Sequence, residues 1–118
     1  MNELDKAYAA GFFDGEGSVG LYRQNGCYAL VVCIGQKDPS VIHWLADRWE
    51  GTVAKRQNDL WQWRAYAEKG RVLLRDIQPF LIVKKSQVDY ILKYSQPYRE
   101  EQALEMKRLK TSYLEAIR

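Results

Sequence analysis

The hydrophobic period of the chain changes from helical to extended between Gly15 and Ser18. Residues 4–15 carry small and apolar side chains at spacings of three, four and seven, which line one face of a helix. From Ser18 apolar and polar residues alternate, and Asn25-Gly26 then supplies the strongest short signal for a hairpin turn. The sequence therefore predicts a helix that leads directly into a two-stranded hairpin.

A second helix and a second hairpin follow in the same order. Asp38 and Pro39 begin a predicted helix that extends to about Glu50 and stops at Gly51. The other predicted segments are strands 18–24, 27–35, 52–56 and 60–67 and helices 72–77, 84–94 and 100–117, the last with Ala103, Met106, Leu109, Lys110, Tyr113 and Ile117 on one face. The order αββαββα, followed by C-terminal helical residues 94–118, predicts one α+β domain over residues 1–118.

Length, charge and cysteine content limit the classes of protein that this chain can join. At 118 residues it is the size of a single domain, and a net charge of +3 permits a polyanionic partner without requiring one. No apolar run approaches the ~20 residues that span a bilayer, and the N-terminus lacks a signal-peptide pattern, so we expect an intracellular protein with no membrane partner. Two cysteines and one histidine are too few for a four-ligand zinc site or a disulfide framework, which predicts free thiols.

Residues 9–17, with the sequence AAGFFDGEG, resemble the motif of the LAGLIDADG homing endonucleases. The match is specific in its glycine, aromatic, aromatic, aspartate, glycine, acid, glycine core. It departs from the family name at Ala9, where the name has Leu, and at Glu16, where the name has Asp. Gln36-Lys37, Gly51 and residues 79–87 also occur in the order and at the distances of the single-motif members, so the resemblance covers nearly the whole domain.

The resemblance implies a fold, a reaction and a set of site residues. The fold is an antiparallel sheet shaped like a saddle, with helices on one face, in a homodimer. The reaction is a site-specific, metal-dependent double-strand cut in a long near-palindromic DNA, as in intron homing, with Mg²⁺ as cofactor and Mn²⁺ as a substitute. Glu16, with Gly15, would hold the metal, Gln36 would orient the attacking water, and Lys84 would polarise that water or stabilise charge on the phosphate. Some relatives have an additional arginine where this chain has Ser40.

The small residues of the first helix have a physical reading of their own. Ala7, Ala10, Gly11, Asp14 and Gly15 would let a second helix backbone approach closely, and a second copy of the chain is the simplest partner. Two such helices crossing on a two-fold axis would bring both copies of Glu16 together, and paired carboxylates predict a divalent cation. The alternative is an ordinary helix C-terminus, with Asp14 and Glu16 in a solvated turn.

Alternation along the four strands predicts an outer sheet face that could contact DNA. Arginine, glutamine and asparagine are the side chains that read guanine and adenine, and small residues can approach thymine methyls. A solvated or a second packed face is the alternative, and Lys84-Lys85 can also be an ordinary exposed pair at a helix start. The candidate DNA-contacting residues are Ser18, Tyr22, Gln24, Cys27, Ala29, Cys33, Lys37, Ala54, Arg56, Asn58, Gln62, Arg64, Tyr66 and Lys85. We expect all four tryptophans in the core and His43 at the surface or half-buried on its helix.

Three functions compete at this level. A homodimeric DNA endonuclease explains Glu16, Gln36 and Lys84 together. A non-cleaving relative, either an RNA maturase or a DNA-binding regulator, would use the same scaffold without the reaction. A basic protein-interaction module would leave the glycines and the acid without a common explanation. No P-loop or dinucleotide-binding fingerprint is present, so we expect no small-molecule substrate.

Overall fold

The computed structural model describes the backbone of residues 1–116 and the side chains of residues 1–111. The elements are α1 (Glu3–Glu16), β1 (Gly17–Gln24), β2 (Cys27–Gln36), α2 (Pro39–Arg48), β3 (Thr52–Lys55), β4 (Trp61–Tyr66), α3 (Glu68–Ile77), α4 (Lys85–Lys93) and α5 (Glu100–Ala116), with short 3₁₀ turns at Gln57–Asp59 and Gln78–Phe80. This confirms the predicted order αββαββα with further C-terminal helices. The side chain of Tyr113 and all of Ile117, predicted on the apolar face of the last helix, lie outside the described residues.

The four strands form one antiparallel sheet in the order β1-β2-β4-β3. Gly17 pairs with Ile34, and Cys33 pairs with Arg64, so the two hairpins are joined through their inner strands. The hairpin turn at Asn25-Gly26 has positive φ at both residues, 50° and 82°, as the sequence predicted. No helix in the described part of the chain is long and apolar enough to cross a membrane.

The core lies between the helices and one face of this sheet. Val19, Leu30, Val32, Ile34, Trp63 and Ala65 point inward from the strands and are essentially unexposed, as their alternation predicted. Phe13, Ile42, Leu45, Leu73, Leu74 and Ile77 pack against them from the helices. Trp49 is buried, whereas Trp44 and Trp61 lie partly exposed at the core's edge, and His43 is exposed beside Trp61.

Three segments differ from the sequence predictions by more than one residue at a boundary. Helix α2 ends at Arg48 rather than Glu50, because Trp49 turns into extended backbone and its indole binds the carboxylate of Asp76. Helix α3 begins at Glu68 rather than at residue 72, after Ala67 reverses the chain with φ 55°. Residues 94–99 are not helical, because the backbone N–H of Tyr28 donates to the carbonyl of Tyr98 and ties this segment to β2.

Gly51 has a different role from the predicted helix stop. It lies between α2 and β3, where a Cβ atom would meet the backbone oxygen of Arg64 at 2.6 Å and the indole of Trp63 at 2.6 Å. The residue is exposed to solvent on its other side. Close approach of two backbones, rather than helix termination, therefore requires glycine here.

We expect Gly51→Ala to lower the free energy of unfolding by about 1–3 kcal/mol, because a backbone carbonyl cannot move aside as a flexible side chain can. Urea unfolding followed by circular dichroism measures this change. Glu50→Ala, which alters the adjacent exposed residue, is the control and should change the free energy by about 0.5 kcal/mol or less. Equal stability of Gly51→Ala and the wild type would contradict the packing described.

Candidate functional site

Helix α1 passes into strand β1 without a loop, and Glu16 is the last residue of the helix. The N–H of Gly17 donates to the carbonyl of Phe13 and closes the final turn. A Cβ atom at Gly17 would lie 2.3 Å from the Phe13 ring, so this junction requires glycine. Glu16 is exposed at this junction, where the unpaired carbonyls of the helix already concentrate negative charge.

Asp14 and Lys84 connect the end of α1 to the segment before α4. The two carboxylate oxygens of Asp14 accept hydrogen bonds from the backbone N–H groups of Ile82, at 2.8 Å, and Lys84, at 2.9 Å. In return, the Lys84 ammonium donates to the carbonyl of Asp14 at 2.7 Å and to that of Phe13 at 3.3 Å. These four bonds hold a lysine at the negative end of the helix that carries Glu16.

Two opposing effects act on the pKa of Lys84. Burial lowers the pKa of its ammonium, because the charged form loses water, and the negative charges of Asp14 and Glu16 oppose that shift. Burial also lowers the pKa of Lys110, on α5, and the positive charge of Lys84 lowers it further. The ammonium of Lys84 thus interacts with the exposed carboxylate of Glu16 and with the half-buried ammonium of Lys110.

Gln36 ends strand β2 at the same end of the sheet. Gly17, the first residue of β1, pairs with Ile34 of β2. Gln36 therefore lies two residues beyond the last position at which β2 pairs with β1. Its amide oxygen accepts a hydrogen bond from the N–H of Lys37 at 2.8 Å. Gln36 also lines an open groove between α1 and α2, with Tyr8 among the other lining residues. The structure therefore places Gln36 at the same end as Glu16, although on the helix side of the sheet.

The exposed face of α1 differs from the predicted stripe of small residues. Ala10 is fully buried in the core of its own chain, so its predicted contact with a partner is wrong. Asp14 is only partly exposed, and its carboxylate is occupied by the two N–H groups described above. The open face instead carries Leu4, which is 81% exposed, and Tyr8, which is 56% exposed.

Gly11 and Gly15 continue this open face toward Glu16. Added Cβ atoms at Gly11 and Gly15 would meet nothing within 4 Å, so both glycines face open space. Ala7 is partly exposed at the margin of the face. The exposed residues Tyr8, Gly11 and Gly15 follow Leu4 by four, seven and eleven positions. On the other side of the helix, Ala9, Ala10 and Phe13 face the core. The face therefore combines two large apolar side chains with two glycines.

The outer face of the sheet carries the strand residues expected to contact DNA. Ser18, Cys33, Arg64 and Thr52 form one continuous row across all four strands. The same face carries Tyr22, Gln24, Cys27, Ala29, Ala54, Gln62 and Tyr66, with Arg56 and Asn58 at the tip of the second hairpin. Lys37 is exposed beyond β2, and Lys85 pairs with Asp89 at 3.3 Å on α4. Contact of these residues with DNA remains a prediction.

Arg64 occupies the centre of this face. Its Nε is buried and has no hydrogen-bond partner among the described residues. Burial raises the pKa of the neighbouring Cys33 thiol, and the Arg64 guanidinium opposes that shift. Both cysteines are free, as predicted. At the second hairpin, Arg56 Nε donates to the amide oxygen of Gln62 at 3.0 Å. The face thus presents donors held in fixed positions.

Solved structures identify the fold. No family model matches the chain, and no curated protein is significantly similar to it. The LAGLIDADG meganuclease I-AabMI superposes with a TM-score of 0.68 at 19% identity, over 93% of this chain and 44% of its own. The archaeal homing endonuclease I-Vdi141I gives a TM-score of 0.63 at 15% identity, over 96% and 98%. This chain has the LAGLIDADG fold.

Another protein with the LAGLIDADG fold is the homing endonuclease I-CvuI, with a TM-score of 0.64 at 21% identity over 77% of this chain. The chain spans 65% of the length of I-CvuI and under half of I-AabMI, but nearly all of I-Vdi141I. In the described side chains of this single protomer, no three His, Cys, Asp or Glu residues converge as a metal site. At the end of α1, the exposed carboxylate is that of Glu16, and Asp14 is partly exposed.

Residues that the sequence did not single out for the site are Leu4, Tyr8, Ile82 and Lys110. The sequence could have indicated Leu4 and Tyr8, because their spacing places them on the same helix face as Gly11 and Gly15. Ile82 acts through its backbone N–H, which any residue other than proline would provide. Lys110 was assigned only to the apolar face of the last helix, and nothing in its local sequence relates it to residue 84.

We expect the ammonium groups of Lys84 and Lys110 to titrate at lower pH than those of exposed lysines, because burial disfavours their charged form. NMR titration of ¹³C-dimethylated lysines in the folded protein measures this. Lys84→Met should raise the pKa of Lys110 by removing a neighbouring positive charge. An unchanged Lys110 titration in that variant would show that the two ammonium groups do not interact.

Proposed function

We propose that two copies of this chain form a metal-dependent endonuclease that cuts both strands of a long, near-palindromic DNA. The observation that carries the proposal is the end of α1, where exposed Glu16 adjoins the hydrogen-bonded pair of Asp14 and Lys84. An exposed carboxylate beside an ammonium held by hydrogen bonds can serve the two needs of phosphodiester hydrolysis, which are metal binding and stabilisation of charge on phosphate.

The exposed face of α1 supports dimerisation. Leu4 and Tyr8 expose large apolar surfaces, and Gly11 and Gly15 leave room for close approach of a second helix. A second copy that crosses α1 on a two-fold axis would cover this face with the same residues. Both copies of Glu16 would then emerge on the same side, one from each helix. The proposed homodimer thus uses the helix that the sequence predicted, but a face of it that includes Leu4 and Tyr8 and excludes Ala10.

The donors at this junction fit a small, hard divalent cation. Glu16 supplies a carboxylate, and the main-chain carbonyl of Gly15 lies one residue away, so the available atoms are oxygens. Mg²⁺ prefers oxygen ligands and retains several waters, which suits one carboxylate from each of two subunits together with phosphate oxygens. When bound, such an ion would supply Lewis-acid activation of water and phosphate, and Mn²⁺ could substitute for Mg²⁺.

Lys84 and Gln36 would act beside the carboxylate. The Lys84 ammonium, fixed by the carbonyls of Phe13 and Asp14, retains a donor that can face a phosphate oxygen. The amide oxygen of Gln36 is bound to the N–H of Lys37, which leaves its NH₂ group to orient a water molecule. Ser40 supplies no charge, so the basic side chains at this end must come from other elements.

The outer face of the sheet would bind the DNA. Its arginine, glutamine and small side chains suit a major groove, and Arg64 lies in the row that crosses all four strands. I-AabMI and I-Vdi141I are both seen in complexes with DNA. I-CvuI holds the I-CreI target uncleaved in 2 mM Mg. Binding and cleavage must therefore both be measured for this protein.

We expect Glu16→Gln to abolish cleavage and leave specific DNA binding nearly unchanged, because it keeps the size of the side chain and removes the charge that would bind the metal. Cleavage is measured in Mg²⁺ on the preferred target, and binding is measured in Ca²⁺, where we expect no cutting. Glu3→Gln, at the other end of α1, is the matched control and should cut at the wild-type rate.

Near wild-type cutting by Glu16→Gln would contradict the assignment of Glu16 as the metal ligand. A wild-type protein that binds DNA but cuts none in Mg²⁺ or Mn²⁺ would instead indicate a DNA-binding regulator. Binding restricted to structured RNA would indicate a maturase-like role.

We expect Gly11→Leu to convert the dimer to monomers, because the larger side chain fills the space that a second helix needs. Sedimentation velocity at micromolar concentration, with and without target DNA, measures the mass. Lys93→Leu adds the same side chain at an exposed position at the end of α4 and should remain dimeric. The dimer is contradicted by a wild-type protein that sediments as a monomer even on DNA.

A further inference from the structure

A groove between α1 and α2, the α1–α2 groove, opens beside the exposed face of α1. Its volume is about 680 Å³, and its apolar lining residues are Leu4, Tyr8, Phe12, Val41 and Trp44. The ring of Tyr8 packs edge-on against Trp44, with centroids 5.1 Å apart. Arg48 of α2 also binds the carboxylate of Asp5 at 3.1 Å. The groove therefore has apolar walls on two helices that are fixed to each other.

A second exposed apolar feature lies just before α4. Ile82 is 85% exposed and Val83 is 37% exposed. The backbone N–H groups of Ile82 and Lys84, on either side of Val83, donate to the carboxylate of Asp14 at 2.8 and 2.9 Å. The main chain of this segment is thus fixed to α1 while the side chain of Ile82 stays in solvent. An apolar side chain on a fixed backbone loses little further freedom when a partner covers it.

The α1–α2 groove and Ile82 lie on opposite flanks of the exposed face of α1. Phe12, which lines the groove, and Asp14, which holds Ile82, are two positions apart, so they point about 160° away from each other at 3.6 residues per turn. Gly11 and Gly15 lie on the shorter arc between them, where added Cβ atoms would meet nothing within 4 Å. The open face is therefore bordered by the groove on one side and by Ile82 on the other.

Two-fold symmetry would bring these two flanks together. In the proposed dimer the two α1 helices run in the same direction, because both copies of Glu16 emerge on the same side. A half-turn about an axis between the helices then places the Ile82 flank of one copy opposite the groove flank of the other. The same contact occurs twice, as in every two-fold interface, so the two surfaces need only fit each other.

We propose that Ile82 of each copy inserts into the α1–α2 groove of the other copy. This inference rests on the proposed homodimer and gives it two contacts outside α1. A second copy is the occupant that the structure favours, because Leu4 and Tyr8 belong both to the groove and to the face that the dimer would cover. Both surfaces are apolar, so their contact removes exposed apolar area from water. Gln36 also lines the groove, so the inserted side chain would cover the groove beside the candidate water-orienting residue.

The first test measures how strongly Ile82 supports the dimer. Sedimentation velocity over a concentration series, with and without target DNA, compares the wild type with Ile82→Ser, Ile82→Leu and Leu104→Ser. Ile82→Ser keeps the N–H that binds Asp14 and should raise the dimer dissociation constant by about tenfold or more for each of the two contacts. Ile82→Leu keeps an apolar side chain and should stay close to the wild type. Leu104, on α5, is 58% exposed, and its truncation should leave the constant unchanged.

The second test locates the contact by cross-linking. Ile82→Cys and Ser40→Cys are purified separately in a background with Cys27→Ser and Cys33→Ser, then mixed and treated with a short bismaleimide. Ser40 is exposed and lines the groove. The mixture should therefore give a covalent dimer that neither variant gives alone. A mixture of Leu104→Cys and Ser40→Cys is the control and should give none. Circular dichroism establishes that every variant is folded.

The inference is overturned if folded Ile82→Ser dimerises as the wild type does, or if the mixed cysteine variants fail to cross-link. It is also overturned if Leu104→Ser weakens the dimer as much, since the loss of any exposed apolar side chain would then suffice. In each case a dimer that Gly11→Leu still converts to monomers leaves the proposed function standing. A wild type that is monomeric even on DNA overturns the proposed homodimer and this inference together.

Discussion

The hydrogen bonds between Asp14 and Lys84 are the interaction on which the candidate site depends. A helix ends with carbonyl groups that need donors, and the Lys84 ammonium supplies them at the end of α1. The Asp14 carboxylate meanwhile binds backbone N–H groups of residues 82 and 84, so the lysine is held by its main chain and by its side chain. Glu16 adjoins this pair and remains exposed because its own residue takes no part in the link. The last turn of α1 therefore holds the Lys84 ammonium and carries the exposed Glu16 carboxylate, the two charges that the proposed reaction would use.

In the proposed function, one chain supplies only half of the metal site. Each copy would bring the exposed carboxylate of Glu16, and Leu4 and Tyr8 are exposed on the outer face of α1. Dimerisation through α1 would cover Leu4 and Tyr8 and would also bring the two copies of Glu16 together, because all three residues lie on α1. The sheet contributes separately, since its row from Ser18 to Thr52 crosses all four strands and is positioned by the core beneath it. Recognition and cleavage would thus use different parts of one rigid scaffold.

Much of the fold could be predicted because it follows from local patterns. Alternation identified the inward residues of the strands, and Asn25-Gly26 fixed the first hairpin. The face of α1 was misassigned at Ala10, because small residues satisfy both a tight core and a helix contact, and composition does not distinguish the two. The start of α3 was missed because a positive φ at Ala67 has no sequence signal. The relation between Lys84 and Lys110 depends on the packing of two helices, so spacing along the chain could not reveal it.

In the proposed nuclease, two copies of the chain cut DNA, each with Glu16 at the C-terminal end of its own α1. Purified protein incubated with a randomised DNA library and Mg²⁺, followed by sequencing of the cut ends, tests it most directly. A two-fold symmetric nuclease should give paired cuts on opposite strands, and the sequences on either side of the cut should be related by inversion. Cuts on one strand only, sites without inverted symmetry, or no cut ends above the Glu16→Gln background would contradict it.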